Sequence, residues 1–184
     1  MAQTRKKLLD AALQSFMRVG YTGATIEGIS DDAGYSRGAF YAHFASKEDI
    51  LLEIIAGQAD QVAPILIRQI ESVSSPNAMV EIVADWAEGR SQNQGLTVLM
   101  FEALQQAQRN GTLDERYAAL FSKNWRNIGE AMRPFFPGHR LPCTPEEIVA
   151  IVVALSYSPV VSGASGHKAG RLVKLTLNAL MQQT

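Results

Sequence analysis

Between Gly34 and Asp49 the chain reads Gly34-Tyr35-Ser36-Arg37-Gly38-Ala39-Phe40-Tyr41-Ala42-His43-Phe44-Ala45-Ser46-Lys47-Glu48-Asp49. These residue types and spacings suit recognition of a polyanion better than bond making. Arg37 carries a planar fork of donors that matches a guanine edge, and Ala39 can touch a thymine methyl. Small side chains at Gly38, Ala39 and Ala42 let a helix approach a groove closely, which a major-groove reader needs. Lys47 adds an ammonium to the unpaired amides of a helix start, and together these make a phosphate seat. Thr25, opening an earlier helix, offers a hydroxyl and a helix N-terminus for the same purpose. Such contacts position a protein on DNA without specifying sequence.

A reading helix must be held by others. Gly34 permits a left-handed turn residue, and Ser36 can cap a helix from about Arg37 to His43. Phe40 and Phe44 lie four residues apart and share a face, which is predicted to pack against Phe16, Ile29 and Ala33. Leu9, Ala12, Leu13 and Phe16 give a first helix, from about Thr4 to Val19, an apolar face, with Gly20 closing it. Ile26, Ile29 and Ala33 support a short second helix ending at Gly34. Two short helices separated by Gly34-Tyr35-Ser36 have helix-turn-helix proportions. Asp31 and Asp32 would repel a phosphate backbone, so they are expected to face away from the groove.

Length and charge limit what such a reader can be. At 184 residues and 47% hydrophobic, the chain can bury one substantial core or divide into a small and a larger domain. The formal net charge is -1. Residues 1–50 balance Arg5, Lys6, Lys7, Arg18, Arg37 and Lys47 against Asp10, Glu27, Asp31, Asp32, Glu48 and Asp49. DNA affinity must therefore come from placement of charge, not from its excess. The single cysteine, Cys143, excludes an intramolecular disulfide and a Cys-based zinc site. The polar start Gln3-Thr4-Arg5-Lys6-Lys7 lacks an apolar signal segment, so the expected compartment is the cytoplasm. In that compartment Asn110-Gly111-Thr112 reads as a loop and a helix cap, not as a glycosylation acceptor.

No membrane partner is expected. Residues 148–166 are uncharged over the length of a span, but Ser156, Ser158, Pro159, Ser162, Gly163, Ser165 and Gly166 interrupt them, which favours a buried or interface helix. No cofactor or metal is expected either. His43, His139 and His167 sit in different segments without metal-ligand spacing, and there is no phosphate-binding glycine loop. Gly163-Ala164-Ser165-Gly166 lacks a residue and the preceding strand of a nucleophile elbow, so the chain is not read as an enzyme.

No stretch alternates as a half-buried strand does, and helical spacing recurs throughout, so the fold is expected to be all-α with about nine helices. Ser46-Lys47-Glu48-Asp49 has capping-box spacing and opens a helix that runs through Val73, with a kink expected at Pro64. Ser74-Ser75-Pro76 breaks the chain, after which helices are expected from about Asn77 to Ser91 and from Gly95 to near Asn110-Gly111. Thr112-Leu113-Asp114-Glu115 and Thr144-Pro145-Glu146-Glu147 both fit T-x-x-E, the second with proline at the first helical position. A last helix reaches Gln182. The boundary between the two functional halves falls near the start of the Ser46 helix.

Tyr117, Phe121, Trp125, Ile128 and Met132 recur at helical spacing and form one broad stripe. With Trp86, Met100, Phe101 and Leu104 they either line a cavity or fill an ordinary core, and periodicity alone favours the core. Glu102 can pair with a cation if it points inward. The apolar helix carrying Ile151, Leu155 and Tyr157 and the last helix, with Leu172, Leu175 and Ala179 on one face, need partners on two sides. Together they suggest a four-helix homodimer interface, with Ser156, Ser158, Gly166 and Gly170 permitting close approach.

The joint pattern resembles the DNA-binding domain of the TetR family of bacterial transcriptional regulators. It is carried by Leu8-Leu9-x-Ala11-Ala12-x-x-x-Phe16, Gly20-Tyr21, Thr25, Ile29, Ala33-Gly34, Ser36-x-Gly38-x-Phe40-Tyr41-x-His43-Phe44 and Lys47-Glu48. It covers roughly the first quarter of the chain densely. The resemblance implies DNA contacts at Ser36, Arg37, Gly38, Ala39, Tyr41, His43 and Lys47, with Tyr41 and Lys47 on phosphates. It also implies a helix-turn-helix domain at 1–46 and a ligand-binding and dimerisation domain at 47–184. A small effector among the middle helices would then release a double-stranded DNA operator. Ala39 replaces the family's usual threonine and Ser30 its usual alanine, which bears on operator preference. The alternative from another class is a helical interaction module whose N-terminal unit docks protein instead of DNA.

Overall fold

The computed structural model describes residues 2–93, 95, 97–102, 105, 113–162 and 168–182, with 113–120 as backbone. Among these residues the regular elements are all helical, as the sequence predicts. They are α1 (Ala2–Gly23), α2 (Ile26–Ala33), α3 (Arg37–Tyr41), α4 (Lys47–Glu71), α5 (Pro76–Gln92), α6 (Leu113–Met132), α7 (Pro145–Ser156), α8 (Ser158–Val161) and α9 (Ala169–Gln182). Residues 97–102 are also helical, and short 3-10 turns occupy Arg133–Phe135 and Pro137–His139. The chain divides into two compact units, Met1–Gln58 with Val98–Tyr117 and Ala59–Thr97 with Ala118–Thr184.

In the first unit Leu8, Ala12, Phe16, Ile29, Phe40 and Phe44 are buried, together with Ile50, Leu51, Ile54 and Ile55 from the start of α4. The Phe40 and Phe44 rings lie 5.6 Å apart, so their four-residue spacing places both inward as predicted; Ala33 stays partly exposed. Gly20 does not end α1. It adopts φ 75°, ψ 165° and interrupts the helix, which adds one more turn to Gly23. Thr25 caps α2 by accepting from the Gly28 amide, and Gly34 ends it at φ 75°, ψ 31°. Ser30, the polar replacement within this core, is fully buried and donates to the Ile26 carbonyl at 2.7 Å, so its hydroxyl is not left unsatisfied. Ser36 caps α3 by accepting from the Ala39 amide. The helix stops at Tyr41, two residues earlier than predicted, and His43 donates back to the Phe40 carbonyl at 2.9 Å. Ser46 opens α4 by accepting from the Asp49 amide at 3.1 Å.

By length and composition α4 could cross a membrane, with a mean hydropathy of 1.5. Many of its apolar side chains are packed inside the chain, although Val62 and Ile65 are exposed. Ile50 to Ile55 serve the first core, and Ala63, Leu66 and Ile70 serve the second.

The second unit surrounds Met79, Val83 and Ala84 of α5 with Ile128 and Met132 of α6, Ile148 and Val152 of α7, and Val173 and Leu177 of α9. Thr144 and Glu147 form the predicted capping box at the start of α7. The apolar run from Ile148 does not continue as one helix. Pro159 has no amide and its ring clashes with the carbonyl four residues back, so α7 stops at Ser156 and a separate turn, α8, begins. The Ser158 hydroxyl takes up the Leu155 carbonyl at 2.7 Å. Two of the small residues expected to ease dimer packing are used within the chain instead. Ser156 is buried and bonded to the Val153 carbonyl at 2.6 Å. Gly170 is buried where a Cβ would lie 2.8 Å from the Ala84 carbonyl oxygen, and its amide donates to Glu88 at 2.9 Å.

Candidate nucleic-acid interface

With both phenylalanines inward, α3 turns its other face to solvent. Ser36, Arg37, Gly38, Tyr41 and Ala42 are exposed, and Ala39 and His43 partly so. Tyr41 is 50% exposed although its ring packs edge-on against Phe40 at 5.6 Å. The hydroxyl end of an amphipathic ring is thereby presented from a fixed base.

Beside this face lies an open recess of about 370 Å³ lined by Thr22, Ala24, Thr25, Ile26, Glu27, Arg37 and Lys47. It brings together Thr25, Arg37 and Lys47, which the sequence proposes separately, at the N-terminus of α2. The α2 amides and two cations favour an anion there, while Glu27 in the first turn opposes it.

Lys47 does not wave freely. Its ammonium donates to the Tyr21 and Ala24 carbonyls, both at 2.8 Å, and lies 4.3 Å from the centroid of the Tyr21 ring. The sequence reading missed these anchors, although Gly20-Tyr21 belongs to the motif. Burial pushes the Tyr21 hydroxyl pKa upward, and Glu48 nearby adds to the shift. That hydroxyl has no close hydrogen-bond partner among the described residues, so Glu48 acts on it across a longer gap. For Glu48 itself, burial raises the pKa, but contacts with Tyr21, its own amide, Ser46 and Lys47 outweigh this and hold it below the usual carboxylate range.

Two ion pairs and two ring contacts engage other charges near the head. Asp32 is bound to Arg18 at 2.8 Å, which offsets one of the acids that would repel phosphate. Arg5 pairs with Glu53 and its guanidinium lies 5.0 Å from the centroid of the Phe44 ring. Lys7 stands 5.9 Å from the centroid of the Tyr35 ring.

The other proposed sites separate. Ile128 and Met132 are buried in the core of the second unit, and Trp86 and Trp125 pack against it, partly buried. Phe121 lies 5.6 Å from Trp125. Met100 is buried and Phe101 partly so. Leu104, the Tyr117 side chain and the expected cap at Thr112 lie outside the described residues. Among the proposed interface residues, Ile151, Leu155, Tyr157 and Leu172 are partly buried, Ala179 is exposed and Leu175 is 59% exposed. No cluster of metal-ligating side chains occurs among the described residues.

Residues 8–54 match the profile described as bacterial regulatory proteins, tetR family. The chain is 28% identical over 140 residues to the HTH-type transcriptional regulator SrpR of Pseudomonas putida, covering 76% of this chain and 64% of that one. It is 29% identical over 85 residues to the HTH-type transcriptional repressor AcnR of Corynebacterium diphtheriae, covering 46% and 40%. The matches thus span less than two thirds of either relative. In fold it is similar to a putative TetR-family regulator from Mesorhizobium loti, with TM-score 0.76, 17% identity, and 99% and 96% of the two chains covered. The motif, the helical order and these matches agree: residues 8–54 carry the DNA-binding domain of the bacterial tetR regulatory family, and the chain as a whole shares the fold of such regulators.

Proposed function

We propose that this protein is a sequence-specific DNA-binding transcriptional regulator that represses by occupying a near-palindromic operator. The observation that carries the reading is the solvent-facing side of α3, with Arg37, Gly38 and Tyr41 exposed next to the recess that holds Thr25 and Lys47. Arg37, Gly38 and Ala39 read base edges; Ser36, Tyr41, His43, Lys47 and Thr25 grip the backbone. AcnR, a relative whose name describes it as a repressor, supports the direction of control.

The working form is a homodimer built on α7 and α9, because Leu175 and Ala179 leave an apolar strip of α9 uncovered. Two-fold symmetry then places two copies of α3 in successive major grooves. A small, hydrophobic effector acts through the aromatic residues of the middle helices, turns α4 and spreads the two reading helices out of register.

Gel-shift titration against the DNA upstream of its own coding sequence tests the reading. Discrete complexes that survive excess unrelated DNA support it; no complex at low salt overturns it in favour of a protein-docking module.

A further inference from the structure

We propose that Glu102 is a positioning residue for DNA binding, acting on Lys47 through Tyr21; this rests on the DNA-binding reading above. Tyr21 is 2% exposed, and two other segments, the helix carrying Glu102 and the start of α4, converge on it. Its N–H donates to Glu102 Oε2 at 2.6 Å. Its carbonyl accepts from Lys47 Nζ, and its ring lies beneath the same ammonium. Glu48 acts on its hydroxyl.

Gly20 makes the Glu102 contact both necessary and accessible. A ψ of 165° at Gly20 rotates the following N–H out of the α1 ladder, so the Tyr21 amide needs an acceptor from elsewhere. The φ of 75° suits glycine, and a Cβ there would lie 3.1 Å from Glu102 Oε1, in the path of the carboxylate. A carboxylate on a part-buried amide is a charge-assisted bond, stronger than a neutral one. Glu102 therefore fixes the Tyr21 backbone, and that backbone fixes the ammonium in the recess, 55 positions away in sequence from Glu102. Glu102 touches no DNA in this arrangement. Its effect is to keep Lys47 in place before phosphate arrives.

The test is a double-mutant cycle on the full chain, with DNA affinity read by fluorescence anisotropy on the upstream fragment and the Tyr21 amide followed by NMR. Glu102→Ala is expected to weaken binding about tenfold, the scale of a hydrogen bond to a charged group. Glu102→Gln, whose side-chain carbonyl still accepts, should recover most of that loss. In a Lys47→Met background, Glu102→Ala should cost less than about twofold, because its effect passes through the lysine. The Tyr21 amide resonance should move upfield in Glu102→Ala. Should that variant fail to fold, Glu102→Asp, one methylene short of the amide, runs the same cycle. Equal losses in both backgrounds, or unchanged affinity in a folded variant, overturn the positioning role while leaving the DNA-binding reading intact. A wild-type protein that binds no DNA at about 50 mM salt overturns both.

Discussion

The Lys47 ammonium stands 2.8 Å from the Tyr21 carbonyl oxygen and 4.3 Å from the centre of the same residue's ring. A lysine held in this way has already lost much of the rotamer freedom that binding would otherwise remove. Lys47→Met is therefore expected to weaken all DNA sequences alike and to lower the magnitude of the log K against log salt slope by about one per subunit. Lys47→Arg should not restore binding, because a planar fork cannot reproduce a compact ammonium between two carbonyls. Salt titrations of the three proteins on the upstream fragment and on an unrelated fragment of equal length decide both points.

Arg37 is expected to behave differently because it is exposed on the solvent side of α3. Arg37→Ala is expected to cost about 1–3 kcal/mol on the preferred operator and to relax discrimination at one base pair per half-site. Competition with operators substituted one position at a time gives the result, and an equal loss on every sequence would move Arg37 to the phosphate-gripping group.

Phe40 is fully enclosed in the first unit. Phe40→Ala is expected to cost about 3–5 kcal/mol of stability and to abolish DNA binding by releasing α3. Phe40→Leu, closer in volume, should cost less than about 1.5 kcal/mol and retain binding. Denaturant melts paired with gel shifts separate the two outcomes.

At the start of α7, Thr144→Ala removes a cap and should cost about 0.5–2 kcal/mol. Hydrogen bonds from the Thr144 amide and hydroxyl hold the Glu147 carboxyl below its usual value. A lowered folded pKa gives stability above the unfolded carboxyl range that disappears as pH falls through the folded value. The melting-temperature gap between wild type and Glu147→Gln is thus expected near neutrality and should close in acid.

The reading head was legible where its determinants are local. Phe40 and Phe44 declare their shared face by spacing, Gly34 the left-handed turn, and Ser36, Ser46 and Thr144 their caps, all within four residues of what they affect. Other features depend on residues distant in sequence or on competition between rules. Glu102 and Tyr21 are 81 positions apart, and no local pattern links them. Gly170 looked like a dimer contact because its near neighbour, the Ala84 carbonyl, belongs to a different helix of the same chain. Pro159, one of the residues that interrupt the apolar run after Ile148, marks where the first helix of that run gives way to a separate turn. The aromatic stripe of α6 remained ambiguous because helical periodicity is identical for a core and for a lined cavity.

Footprinting of the upstream fragment across a salt series tests the central claim most directly. Two protected half-sites about one helical turn apart are predicted, as the geometry of a two-fold dimer requires. With about four phosphates neutralised per subunit, the slope of log K against log salt should be roughly -7. Absence of protection at low salt, or a slope near zero, would contradict DNA recognition by α3.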